Sequence, residues 1–496
     1  MMNNKTKFLL IPCLLVFVFS PVVFSQDYNK ILTTEGLNQT TDPSVISRAM
    51  GGVTLSVKND VSLMFANPAA LQTIGSIQVS IGGYQRYKTN DQTQQWFPMQ
   101  SYPNFSLLLG GLSDTITIPR VPDTLYNSGS IARDTVQRQL DKIQPNWKYT
   151  KNSSMPLQAF LAVPFSLGKM KFAAGLGTFE YANLDYYYAN SNNLNPDIGS
   201  YRPAPFNHPL SDANQDALPV TWFQTIQKRE GSIYGFGGAV SVAFSDKFSL
   251  GVSAQLLKGT TNDYSYHVGR GLLIMHQTFF GLYSYPYNSS LVGTSDFSGQ
   301  EYTISCTYQG RFVTFGVAVK PPTTISRDYK GTLQTDSAGS NSVSVPVSSS
   351  DEMKLPLRGS VGMGIALRED VSFNVEYEYL PYSTAQYTAG GISLEPWLDG
   401  YKFKAGLEYN PIPWLALRCG YSKQTDVFTP QNTYISSEAI TSSVYAIGCG
   451  VKYRNVQLNL AYEYSTLSYE DMWITNVNMN SRTLQNIILG LSYTLQ

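Results

Sequence analysis

Three histidines, His208, His267 and His276, are the only imidazoles in the chain, and acid–base chemistry near neutral pH would have to start from them. None stands with a serine and a carboxylate at a spacing that suggests nucleophilic catalysis. None gathers with cysteines or acids into a metal-ligand pattern. Catalytic residues, a metal site and a cofactor are therefore not expected. Two other groups of residues carry usable chemistry. Arg358, Lys402, Lys404 and Arg418 share one phase of an alternating pattern with Glu376, Glu378, Glu408 and Glu463. On a common face they either neutralise one another, or leave Arg358, Lys404 and Arg418 to hold a ligand carboxylate. The second group is the run Gly271–Tyr283. Its Leu272, Leu273, Ile274, Met275, Phe279 and Phe280 make an apolar cluster inside a connection that should face water. It reads either as a docking patch for an apolar ligand or as loop packing.

The elements that position these residues alternate with period two. In Val371–Tyr379, Val371, Phe373, Val375, Tyr377 and Tyr379 oppose Ser372, Asn374, Glu376 and Glu378, and Tyr401–Tyr409 and Leu458–Tyr464 repeat the pattern. Fourteen strands are expected, at 76–88, 156–165, 170–187, 230–245, 247–264, 298–309, 311–332, 352–366, 370–382, 400–410, 413–424, 442–453, 456–468 and 484–495. Tiny connections (166–169, 245–247, 309–311, 368–370, 410–412, 454–455) alternate with long ones (88–154, 188–229, 265–296, 331–351). Short turns on one side and long loops on the other are the rhythm of an antiparallel transmembrane β-barrel. In lipid an open edge would strand N–H and C=O groups, so the first and last strands must pair. Slipping the tenth strand by one residue would drive Lys402 and Lys404 into hydrocarbon at about 2–4 kcal/mol each.

Lys5 and Lys7 precede the apolar run Phe8–Phe19 and the triplet Val23-Phe24-Ser25, so residues 1–25 read as an export signal, too short to span. The barrel then occupies 76–496, in the bacterial outer membrane. Net charge is zero, which excludes a nucleic-acid footprint. The 34 tyrosines suit aromatic girdles at the bilayer interfaces. Cys306, Cys419 and Cys449 lie in phase with Ile304, Leu417 and Ile447. They should face lipid as small hydrophobes without a disulfide.

Residues 26–75 do not read as wall. They contain Arg48-Ala49, Gly51-Gly52, Asn59-Asp60, Ser62 and Asn67-Pro68-Ala69, a series that resembles the N-terminal hatch of the FadL/TodX family of long-chain fatty-acid and hydrocarbon transporters. Phe315–Pro322, Leu355-Pro356, Trp397–Phe403 and Leu417–Tyr421 extend the resemblance along most of the chain, with Ala70 where the family usually has Gly. The resemblance implies an all-β fourteen-stranded barrel plugged by a hatch, passively admitting hydrophobic compounds such as long-chain fatty acids. Gly51, Gly52, Asn67, Pro68 and Ala69 would be gating positions, Gly271–Tyr283 would lie in an external ligand-gathering segment, and an interruption of the third strand around Gly175, Gly177 and Asn183 could open a lateral exit. Expected partners are a hydrophobic small molecule or fatty acid, outer-membrane lipid and, during biogenesis, the barrel assembly machinery, with the barrel itself a monomer. The alternative is a FadL-like scaffold or shuttle in a protein-secretion system, its tyrosine-rich loops holding a protein partner.

Overall fold

Where side chains on one face of a strand meet hydrocarbon, no water reaches the backbone, and every ladder must close on another. In a computed structural model, which describes residues 42–96, 146–153, 157–168, 170–196, 218–275, 280–283, 287–337, 342–394, 397–425, 440–473 and 476–495, the chain meets this condition with fourteen antiparallel strands. They are β1 (Ile77–Trp96), β2 (Trp147–Ser153 and Gln158–Leu167), β3 (Met170–Asn183 and Tyr186–Pro196), β4 (Leu218–Ala243), β5 (Phe248–Met275), β6 (Tyr287–Gln309) and β7 (Val313–Lys320 and Thr323–Ser337). The circuit continues with β8 (Val343–Leu355 and Arg358–Arg368), β9 (Val371–Leu380 and Gln386–Ala389), β10 (Ile392–Leu394 and Gly400–Ile412), β11 (Leu415–Thr425), β12 (Thr441–Tyr453), β13 (Val456–Trp473) and β14 (Asn476–Leu495). Neighbours in sequence pair around the circuit, and β1 closes on β14 from Ile77↔Leu495 to Trp96↔Asn476. The expected export signal, at 1–25, lies outside the described residues.

The two faces of the wall follow the expected phase. Along β5, Leu250, Val252 and Leu256 are exposed outward, whereas Ser249, Ser253 and Gln255 are buried inward. Along β6, Tyr302, Ile304 and Cys306 point out and Glu301, Thr303, Ser305 and Thr307 point in. All three described cysteines are free, and Cys306 and Cys419 are exposed on the outer face. An apolar outside around a closed ladder is the architecture of a bacterial outer-membrane barrel. Six tight turns lie at the end where the chain enters β1 and leaves β14. Two use left-handed backbone, at Gly168 (φ 63°) and Arg454 (φ 51°), and in a third Ser245 Oγ accepts from Lys247 N and Phe248 N, both at 3.2 Å.

The strands run well past their expected ends. Much of the sequence read as long connection is ladder: β1 continues to Trp96, β2 begins at Trp147, β5 reaches Met275, and β13 and β14 form one hairpin from Trp473 to Asn476. Above the bilayer the outer face meets water, so the apolar half of the alternation vanishes while backbone pairing persists. Asn90, Asp91 and Gln92 pair on both sides in this way.

Candidate functional site: the bore and the segment inside it

The described residues before β1 form a five-residue helix, Val45–Ala49, and two 3-10 turns, Val61–Phe65 and Pro68–Thr73. Almost every side chain in this stretch is buried. Ser44 Oγ caps the helix by accepting from Ser47 N at 2.9 Å, and Asp60 caps the first 3-10 turn by accepting from Ser62 N at 3.0 Å. Contacts with the inner wall fix the segment along its length. Arg48 forms a two-pronged ion pair with Glu463 on β13. Glu376 on β9 accepts from the backbone N–H groups of Thr54 at 2.6 Å and Leu55 at 2.9 Å. On β6, Thr303 donates to Phe65 O at 2.9 Å and Ser305 accepts from Ala69 N at 2.9 Å. An irregular backbone without water must find such partners, and inward Ser, Thr and Glu side chains supply them.

The five expected gating residues are all in contact here. Gly51 (φ 72°) lies so close to the wall that a Cβ on it would stand 2.7 Å from the backbone of Tyr421, and a Cβ on Gly420 of β11 would stand 2.1 Å from Gly51 N. Glycine faces glycine because neither side has room for a methyl group. Gly52 also has a left-handed φ, of 87°. Asn67, 1% exposed, donates to the carbonyls of Thr54 and Leu55 at 3.4 and 3.3 Å and accepts from Thr307. Pro68 opens the second 3-10 turn, and Ala69 is gripped by Ser305 and Ser249.

The expected cations point inward but are engaged by the wall. Arg358 pairs with Glu301 at 2.7 Å, Lys404 with Glu376 at 2.7 Å, and Arg418 with Glu408 at 2.6 Å while also reaching Asn459 at 3.1 Å. Each of the three cations thus has a carboxylate partner on the wall. Glu301 was not singled out in the sequence, yet Lys320, Arg358, Tyr181 and Gln255 all donate to it. The described parts of the apolar run, 271–275 and 280–283, are paired strand. Leu272, Leu273, Ile274 and Met275 pair with the strand Phe280–Tyr283 on one side and Leu218–Thr221 on the other. Phe279 lies outside the described residues, as do His208 and His276. His267 sits on β5 with Nδ1 3.1 Å from Thr225 Oγ1.

The bore is also less uniformly polar than alternation implies. Leu257, Phe297, Ile325, Met353 and Leu355 occupy inward positions and join Leu184, Ile233, Tyr382 and Trp397 in a buried apolar cluster, continuous with Val61, Met64, Phe65 and Leu71 of the N-terminal segment. The signal for this was in the sequence, as apolar residues on the polar phase.

β3 is irregular near Asn183 but not at Gly175 and Gly177, which pair regularly on both sides. Its register with β4 shifts between Glu180 and Ala182, and the ladder breaks at Leu184-Asp185 before resuming at Tyr186. β2 and β3 pair only from Ala159↔Thr178 to Leu167↔Met170. Above that, among the described residues, Trp147–Ser153 pairs only with β1 and Tyr186–Pro196 only with β4. Side chains span this seam. Tyr149 stacks on Tyr187 at 4.1 Å, Trp147 meets the same ring edge-on at 5.4 Å, and Lys151 pairs with Asp185 at 2.9 Å and Glu230 at 3.0 Å.

No protein-family model and no curated protein matches the sequence. Solved structures do. A FadL homologue of Pseudomonas aeruginosa aligns over 92% of this chain and 99% of its own at 14% identity, with a TM-score of 0.56. The toluene transporter TodX of P. putida aligns over 91% and 98% at 14% identity (TM-score 0.55), and the Ralstonia pickettii toluene transporter TbuX over 93% and 100% at 14% identity (TM-score 0.51). At this identity the likeness speaks for the fold, and the chain shares the closed fourteen-stranded barrel of the FadL and TodX outer-membrane proteins.

Proposed function

We propose that the protein is an outer-membrane channel for the passive uptake of hydrophobic compounds, long-chain fatty acids among them, with residues 26–75 serving as a hatch. The observation that carries this reading is the buried apolar cluster running inside the barrel from the N-terminal segment to the irregular part of β3. A bore meant for sugars or ions has no use for Leu257, Phe297, Ile325 and Met353 on its inner face. An acyl chain or aromatic ring does, gaining about 0.8 kcal/mol per buried methylene. Similarity in fold to proteins described as toluene transporters supports the same class of cargo.

On this reading a ligand is gathered at the hairpin carrying Leu272–Met275 and Phe280, sheds water on reaching the apolar cluster, and moves on when the segment around Gly51, Gly52 and Asn67–Ala69 shifts. The β2–β3 seam is the favoured exit, because the lower bore is polar: a cavity of about 400 Å³ beneath the segment is lined by Lys58, Arg311, Asp370, Glu408 and Arg418 among others. The test is uptake of labelled oleate and of toluene by cells with and without this gene. Faster entry of both with the gene is expected, and identical entry rates refute the channel.

A further inference from the structure

Beyond the membrane-spanning part of the wall, β8 keeps one open side. It pairs with β7 along its whole upper arm, from Thr335↔Val343 to Thr323↔Leu355. On the other side only Asp351–Lys354 are paired, with Gln386–Ala389 of β9. β9 then turns back through Gly390 and Gly391, both left-handed at φ 56° and 80°, and β10 begins at Ile392. Among the described residues, Val343-Ser-Val-Pro-Val-Ser-Ser-Ser350 is therefore a strand with one ladder and one free side. Apart from half-buried Val347 it is exposed throughout.

A strand with a row of unpaired N–H and C=O groups is a template for another strand. Charged side chains usually blunt such an edge, and none stands between Val343 and Ser350. Pro346 is the one blunting residue. Its nitrogen carries no proton and in a regular ladder must face the open side. By alternation Ser344, Ser348 and Ser350 then present both N–H and C=O to that side, beside the C=O of Pro346. An apolar row also ends there. Leu291 pairs with Leu333, and Leu333 with Val345, on the inward phase shared with Phe297, Ile325 and Met353. Val345 is 46% exposed at the end of this row, so an apolar side chain on an added strand would extend it. A second copy of the chain is poorly placed to supply that strand. Two barrels upright in one membrane are related by an axis along its normal, and strands tilted by about 35–45° would cross at about 70–90° instead of lying side by side.

We propose that residues 343–350 are a docking edge for an extended segment of another polypeptide, which adds as a strand beside β8 through backbone hydrogen bonds. The segment is uncharged and carries apolar side chains at alternate positions, one of them seated against Val345. The inference stands apart from the channel reading, because the edge lies outside the bore and uses none of the residues assigned to ligand or hatch.

The experiment measures binding of a fluorescein-labelled peptide of alternating threonine and valine, seven residues long, to the full-length barrel in neutral detergent, beside its fully N-methylated form. The parent peptide is expected to bind and the N-methylated form, which has no N–H to give, is not. Pro346→Thr supplies the missing donor and should tighten binding about two- to tenfold, and Ser348→Pro removes one and should weaken it by a similar factor. Both changes face the open side, so hydrogen exchange at Leu333 and Thr335 on β7 should match the parent and confirm the intact hairpin. A peptide that fails to bind, that binds equally well when N-methylated, or that ignores both substitutions overturns the proposal. A barrel that sediments as a dimer and takes the peptide only on dissociation also overturns it, since a second copy would then hold the edge. Oleate uptake is scored separately: uptake without peptide binding sinks the docking edge alone, and peptide binding without uptake sinks the channel alone.

Discussion

At the scale of single residues, the segment in the bore is held by a few strong polar contacts in addition to its broad apolar packing. Arg48 with Glu463, and Glu376 with Lys404 and two backbone N–H groups, are buried charge pairs that are expensive to break one side at a time. Asp42 is the exception to this good matching. Burial pushes its carboxyl up from 3.8 to about 6, against the opposing pull of Ser47, Ser44, Lys404 and Arg48. A raised value means the seated segment prefers the proton, so seating costs nothing extra below about pH 4, weakens as pH rises through that window, and bears the full penalty above about 6. Hydrogen exchange of the amides around Val45–Gly52 should therefore be slower at pH 5 than at pH 7.5 after correction for intrinsic rates. Asp42→Asn should flatten the difference, and an unchanged slope in that variant would assign the effect elsewhere. Gly51 and Gly52 could be marked in the sequence as places of close approach, but which wall residue each one meets could not.

At the scale of elements, β3 decides the most. Its glycines and Asn183 announced an irregularity, and the structure places the register shift and the break a few residues on, between Glu180 and Asp185. The consequence is the seam, where ladder hydrogen bonds give way to Tyr149–Tyr187 stacking and the Lys151 ion pairs. Such contacts are weak beside a ladder: a partly exposed pair contributes on the order of 1 kcal/mol or less. If ligand leaves through the seam, a disulfide between Tyr149→Cys and Tyr187→Cys, built in a background with Cys306, Cys419 and Cys449 changed to serine, should abolish uptake of oleate, and a reductant should bring it back. Uptake indifferent to that crosslink would place the exit in the bore. Strand extensions such as Asn90–Trp96 were illegible because water on the outer face removes the alternation that marks a strand in lipid.

At the scale of the whole molecule, the closed ladder makes no use of the N-terminal segment, since β1 pairs with β14 and β2 by backbone bonds alone. Deleting residues 43–74 should therefore leave a heat-modifiable folded barrel, with Glu376 and Glu463 hydrated instead of orphaned, and should raise conductance in planar bilayers. Conductance that stays at the full-length level would mean that another part of the chain closes the bore. The sequence by itself determined the barrel, its strand number, which face of each strand meets lipid and the inward aim of Arg358, Lys404 and Arg418, because a period of two and the exclusion of water are local constraints that each strand must satisfy alone. Only the tertiary structure decided which inward charge meets which. Arg48 reaches Glu463 across more than four hundred residues, Glu301 gathers donors from four other strands, and Arg86 is left facing a cavity, because those distances are set by how the closed cylinder and its inner segment fit together.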